Sequence, residues 1–223
     1  MWTPAVWPAS VTAPAVARSG MDEPQLGTDH LHDLPLPDVV NWAIFPFEGD
    51  LRVRTVNPYA DTPRPRSGEP EGGPCHCESP DDNRTMVWSN DRWQVREIHF
   101  NWTEGTPAPF PSYMLETVEH LDIEDLDEAY AAELGIMTLR MERAIKAIGS
   151  IERVHFNRWG DGGSHFHVWF LGRPFGARQF NGFTLPFWGF ILPPMDEATV
   201  EANHAIVRAS LEAAETPAVT PDA

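Results

Sequence analysis

Ser164-His165-Phe166-His167-Val168-Trp169 is the stretch on which the fold turns. Read as a β-strand, it puts His165, His167 and Trp169 on one face and Phe166, Val168 and Phe170 on the other. The apolar face predicts a core behind the strand, and the histidine face predicts a cleft or a polar neighbour in front of it. Just upstream, Gly160-Asp161-Gly162-Gly163 reads as a turn whose backbone amides can come close to an anion. A neutral imidazole, with an unperturbed pKa near 6.5, is a competent nucleophile toward phosphorus around neutral pH. On alternation alone, two histidines on one strand face fit hydrogen bonding or metal coordination equally well.

Working outward, residues 153–157 form a second strand that the glycine turn connects to 165–171. Before them, Leu126, Tyr130, Leu134, Met137, Met141, Ile145 and Ile148 recur at spacings of four and three, which predicts one apolar face of a long helix stopping at Gly149. Upstream again, 112–118 is a strand, and 85–88 with 93–98 form a hairpin turning at Ser89-Asn90-Asp91. A Pro- and Phe-rich segment, 174–194, precedes a last helix that Asp196 caps and that runs to about Glu215. Strands, one long helix and a closing hairpin describe an α+β domain with an antiparallel sheet and a C-terminal helix. Residues 1–37 are rich in Pro and Ala and read as an irregular arm. Residues 41–53 carry a first mixed apolar stretch, and 57–74 are again loop-like. The division is therefore 1–70, a Pro-rich arm with the first strands, and 71–223, the main domain with its helical extension.

The chain has 223 residues and a formal charge of -17, which disfavours nucleic-acid polymers and anionic membranes as partners. A small nucleotide needs only a local pocket. No apolar run approaches the roughly 20 residues of a membrane span, and no basic start with an apolar core marks an export signal. The two cysteines, Cys75 and Cys77, cannot build a disulfide framework, so thiols or metal ligands in a reducing cytoplasm are expected.

From Cys75 to Pro174 the order of features resembles the histidine-triad (HIT) superfamily. A cysteine pair leads into the hairpin Met86-Val87-Trp88-Ser89-Asn90-Asp91-Arg92-Trp93. The strand Met114-Leu115-Glu116-Thr117-Val118-Glu119-His120 then ends in a histidine, followed by the long helix and the H-x-H strand. Glu116-Thr117-Val118-Glu119-His120 with an acidic amphipathic helix is most similar to the galactose-1-phosphate uridylyltransferase branch. The resemblance implies that His167 forms a covalent nucleotidyl-histidine intermediate, resolved by water or a second phosphate. It also implies a structural zinc held by Cys75, Cys77, His120 and His165, a ligand set suited to tetrahedral Zn2+. His76 is an alternative to one cysteine, and two reduced thiols without metal remain the bland reading. Asn157, Asp161, Ser164, Trp169 and Arg173 are the expected substrate contacts, although Arg173 reads equally as a solvated arginine and Asp161 as a local turn residue. Two departures stand out. Trp169 occupies the position of the third triad residue, where an indole offers one N–H donor and no proton shuttle, and the loop before His165 is shorter than in the family.

The leading expectation is a nucleotidyl hydrolase or transferase acting on a small nucleotide or sugar nucleotide. The alternative keeps the fold without nucleotidyl transfer, as a nucleotide-binding, regulatory or otherwise adapted protein. A zinc-stabilised interaction domain is a third. One copy of the domain, where the uridylyltransferase branch carries two, suggests a homodimer. His30 and His32 are expected in solvent, His99 and His155 on strands as satisfied histidines, with His155, on the face of Asn157, alternatively looking into the cleft, and His204 on the surface of the last helix. Phe180, Phe183, Phe187, Trp188 and Phe190 form either a packed cluster, a substrate wall or a dimer contact.

Overall fold

The computed structural model describes residues 62–78, 84–100 and 106–215, Phe47, and a short antiparallel pair, β1 (Val39–Val40) with β2 (Leu51–Arg52). The expectations for His30, His32 and most of the arm lie outside the described residues. The main sheet and the helices packed on it belong to one compact unit, which takes in the chain from Arg64 onward.

Five strands form one antiparallel sheet: β3 (Met86–Ser89), β4 (Trp93–Glu97), β5 (Ser112–Thr117), β6 (Ile151–Asn157) and β7 (His167–Pro174), in the order β3-β4-β5-β7-β6. The α+β class and antiparallel sheet expected from the sequence are what the structure shows. Each predicted strand is present with its ends shifted by a few residues. The hairpin turn is made by Asn90, whose side-chain oxygen accepts from the backbone N–H of Arg92 (3.0 Å) and Trp93 (2.8 Å).

One shift matters for the site. The ladder begins at His167 rather than His165, because the Phe166 amide donates to the Leu121 carbonyl (2.6 Å) and not to β5. His165 is thus turned away from the strand, toward the residues that follow β5.

Behind the sheet lie two helices, α1 (Glu128–Lys146) and α3 (Glu197–Glu215). Asp127 caps α1 by accepting from the Tyr130 amide (2.8 Å), and Gly149, with φ +85°, turns the chain back into β6. The buried face of α1, Tyr130, Met137, Met141, Ala144 and Ile145, packs on Val95, Leu115, Val168 and Phe170 from the sheet. Phe166, Val168 and Phe170 are between 1% and 5% exposed, so the apolar side of the motif does face the main core.

Asp196 caps α3 through Thr199, as its position suggests. His204, expected on the surface, is instead buried on the inner stripe of α3. It lies four residues after Val200 and three before Val207, and its ring packs edge-on to Tyr113 at 5.8 Å. Burial holds its imidazole below the ordinary histidine range.

In front of the sheet a second core gathers Ile98, Phe100, Phe110, Met114, Leu171 and Leu185, with Trp169 and Phe180 against it. The segment after β7, with a short helix α2 (Leu185–Gly189), supplies this cover. Residues 174–194 therefore pack in part, while Phe183, Phe187 and Phe190 stay open to solvent.

Candidate metal site and nucleophile cleft

Cys75 and Cys77 flank the start of a helical turn at His76–Glu78, His120 sits just beyond β5, and His165 leads into β7. One donor atom from each lies within 4.8 Å of every other. Cys77 Sγ lies 3.3 Å from His120 Nδ1 and Cys75 Sγ 3.5 Å from His165 Nδ1. A tetrahedral zinc with sulfur and nitrogen ligands near 2.3 and 2.0 Å needs donor separations of about 3.5 Å, so the set fits.

The outer nitrogens are held as well. His165 Nε2 lies 2.7 Å from the Thr117 carbonyl, which fixes Nδ1 as the free donor toward the sulfurs. His120 Nε2 lies 3.3 Å from Ser164 Oγ. Burial and the neighbouring Cys75 push the Cys77 thiol up to about 12, and a dication is the charge that would reverse this. Burial likewise lowers the basicity of His165, leaving the neutral, metal-binding form.

A strap at residues 66–73 closes over the site. The Ser67 amide donates to the Gly162 carbonyl (3.0 Å), and the Ser164 amide donates back to the Ser67 carbonyl (2.9 Å). Arg66 bonds Asp122 at 2.6 Å, and Arg158 reaches the same carboxylate at 3.2 Å, tying the strap and the glycine turn to the residues after His120. Gly68 has φ +92°, and a Cβ there would lie 2.5 Å from Ser164 Oγ and 2.6 Å from His120 Cε1. Gly68→Ala is therefore expected to misplace His120 and to weaken metal binding by about 10–100-fold, measured by competition with a coloured chelator.

His167 faces a cleft of about 240 Å³ lined by Ser67, His76, Arg84, Met114, His165 and the glycines of the turn. Its Nδ1 lies 2.7 Å from the His165 carbonyl. With a proton on Nδ1 donated there, the lone pair falls on Nε2 only once the carbonyl now facing Nε2 has left, because a carbonyl accepts and cannot pair with that lone pair. Nε2 in turn lies 2.9 Å from the Trp159 carbonyl, which stands where an electrophile must arrive. Attack through Nε2 therefore requires residues 158–163 to carry that carbonyl aside.

Directly across the ladder from His167 is Glu116, fully buried. Arg84 Nη1 approaches its carboxylate at 3.0 Å, His76 Nε2 at 3.2 Å, Gln94 Nε2 at 3.2 Å and Arg96 Nε at 3.6 Å. Burial opposes ionisation, but His76 and Arg84 outweigh it and hold the carboxyl at about 2. Since the folded pKa lies below the ordinary 4.5, this stabilisation is fully present above pH 4.5 and is lost as pH falls through about 2. Glu116→Gln is expected to cost about 3 kcal/mol at neutral pH. In urea melts at a series of pH values, the gap from wild type should narrow below pH ~4.5. Sequence reasoning does not single out Glu116 or Arg84. The alternation of Met114 and Glu116 on the strand facing His167 is the signal that marks the carboxylate.

The expected substrate contacts are dispersed. Ser164 is buried, with Oγ against Ser67 (3.1 Å) and His120. Asn157 pairs in register with Trp169 on the edge strand and does not line the cleft, and Asp161 is exposed on the turn. Arg173 lies six residues along β7 from His167, roughly 20 Å at strand rise, and bonds Glu152 at 2.9 Å. His155, on β6, has a buried Nε2 without a partner among the described residues, and His99 lies just past β4, 3.4 Å from Glu97. Trp169 packs edge-to-face on Trp159 (5.4 Å between centroids) and Phe100 (5.9 Å), and its indole N–H has no acceptor among the described residues.

No protein-family model matches the chain, and no curated protein matches it. Solved structures do. A histidine triad protein from Bradyrhizobium japonicum superposes with a TM-score of 0.47 at 22% identity, covering 58% of this chain and 92% of that one. A histidine triad (HIT) protein from Sinorhizobium meliloti gives 0.46 at 18% identity, over 57% and 90%. A zinc-bound histidine triad family protein from Mycobacterium smegmatis gives 0.40 at 15%, over 58% and 85%.

Proposed function

We propose that this protein is a nucleotidyl hydrolase or transferase acting on a small phosphoester or phosphoanhydride through His167. The observation that carries the reading is the pairing of His167 Nδ1 with the His165 carbonyl, in a cleft that also holds the Arg84 guanidinium. In the first step the Nε2 lone pair attacks phosphorus, a P–N bond forms, and the P–O bond to the leaving group breaks with its electron pair on oxygen. Water, releasing a proton to solvent, or a second phosphate, through one of its anionic oxygens, then attacks the same phosphorus, and the P–N pair returns to Nε2. Arg84 faces the cleft and offsets the charge of the phosphoryl oxygens. Cys75, Cys77, His120 and His165 would hold a zinc, as the resemblance to the uridylyltransferase branch implies. An ion there would neutralise two thiolates, and the four side chains would then tie the cysteine turn and the residue after β5 to His165, two positions before His167, a structural role.

With this function go a reducing cytoplasm as the compartment, a nucleotide as the partner and a second copy of the chain as the dimer mate. A panel of nucleoside monophosphate esters and sugar nucleotides, with product analysis by chromatography, tests it. Turnover of at least one member that depends on His167 is expected, and no turnover across the panel would count against it. One observation favours a binding protein on this fold: Trp169 supplies no proton to a leaving group. For that reading, nucleotide raises the melting temperature and no product forms.

A further inference from the structure

Two carbonyls face the one imidazole of His167, that of His165 at Nδ1 and that of Trp159 at Nε2. With both in place, no lone pair of the ring points into the cleft. The register of the sheet explains the second carbonyl. Asn157 stands opposite Trp169 at the end of the β6–β7 ladder, so two further residues of the same hairpin bring Trp159 opposite His167. There the Trp159 ring meets Trp169 edge-on, 5.4 Å between centroids.

The two ends of this turn are held differently. Its base is pinned through backbone, with the Ser67 amide on the Gly162 carbonyl and the Ser164 amide on the Ser67 carbonyl. Its front is held by side chains. Arg158 Nη2 donates to Asp122 Oδ1 at 3.2 Å, and Arg66 donates to Oδ2 of the same carboxylate at 2.6 Å and to the Gly160 carbonyl at 3.4 Å. Asp122 thus gathers one guanidinium from the turn and one from the strap. Arg66 is braced a second time by Glu69 at 2.8 Å, whereas Asp122 is the one partner of Arg158 among the described residues. The Arg158 side chain is 32% exposed, and an ion pair so open to water parts and re-forms far more readily than a backbone ladder. A Cβ on Gly160 would lie 2.8 Å from Arg158 Nη1, so the guanidinium is folded back across the turn that it fastens.

We propose that the protein rests in a self-inhibited form, in which residues 158–161 cover His167 and the Arg158–Asp122 ion pair is the latch. Release of Arg158 lets the turn swing on its pinned base and uncovers Nε2. The inference rests on the function proposed above for what the cover restrains, and it adds a control step. The nucleophile is available only in the fraction of molecules whose latch is open.

Carbethoxylation of the full chain by diethyl pyrocarbonate, located by peptide mass spectrometry, reads the availability of the His167 nitrogen without any turnover. Arg158→Gln removes the charge of the latch and should speed modification of His167 about threefold or more, the scale of one weak ion pair lost. Gly160→Ala keeps that charge but pushes the guanidinium off Asp122, and should act in the same direction. In both variants the rate at His99, which lies away from the turn just past β4, should stay at the wild-type value, as should the melting temperature. A wild-type rate at His167 in either variant overturns the proposal, and so does a rise shared with His99 or accompanied by a lower melting temperature, which marks general loosening. The outcome is separable from the function itself. Failure here leaves the nucleophile to be judged by the ester panel, whereas a His167 that the variants unmask but that turns over no ester removes the nucleophile and keeps the latch.

Discussion

His167→Ala is expected to lower turnover of any accepted nucleotide ester by at least about a thousandfold, because it removes the atom proposed to form the covalent bond. The fold should survive. The ring is half-buried at a cleft and makes no contact with the core behind β7, so the melting temperature should move by no more than a few degrees. Stopped or endpoint product assays read the first quantity, and a thermal melt the second. The pairing is what matters: activity gone with the fold intact assigns His167 to chemistry, whereas activity lost together with the fold assigns it to packing.

The second large effect concerns the proposed metal ligands. Cys75 is 1% exposed and lies against His165, and its strand neighbours depend on the geometry of that histidine. Cys75→Ser is expected to cost roughly 3 kcal/mol or more of unfolding free energy and to reduce bound zinc from one per chain to a trace, read by elemental mass spectrometry. Chelation of the wild type should reproduce the drop in stability, and added zinc should reverse it. A wild-type protein that purifies without metal and melts identically with and without chelator would show that the four donors are a thiol-imidazole cluster and nothing more.

Much of the fold is legible in the sequence. Alternation in the histidine strand assigns Phe166, Val168 and Phe170 to the core, and helical spacing identifies Tyr130, Met137, Met141 and Ile145 of the buried stripe of α1, with Leu134 partly buried and Ala144 added by the structure. Those signals are local, with periods of two and 3.6 that a sequence displays directly. Asp196, read from the sequence as the cap of the last helix, does cap it, and the structure adds Asp127 as the cap of α1. His204 is not legible as a buried group, because a histidine on an amphipathic helix fits either the inner stripe or its border. Only the docking of α3 on Tyr113 decides.

At the site, the residues brought together are those that flank elements: the cysteine turn, the residue after β5 and the residue before β7. Their convergence follows from β5 and β7 being neighbours, which the strand order makes so. The strap is a different matter. Ser67 and Gly68 read as ordinary loop residues in a proline-rich run, yet they pair with the glycine turn and crowd His120. Such long-range backbone pairing leaves no periodic trace. Glu116 is visible in principle, as a charged residue on a strand face, but its ionisation depends on Arg84 and His76 reaching it from other segments. Arg173, by contrast, looks close to the nucleophile in sequence and is carried far along the strand, into a pair with Glu152.

The proposed nucleotidyl transfer at His167 requires a covalent bond at one nitrogen. Rapid acid-free quench of the wild type with a turned-over nucleotide ester, followed by peptide mass spectrometry under alkaline conditions, detects that bond directly. The prediction is a nucleotidyl mass on the peptide containing His167, present before product and absent from His167→Ala. Product formation at full rate with no adduct on that peptide, or an adduct that persists in His167→Ala, would contradict it.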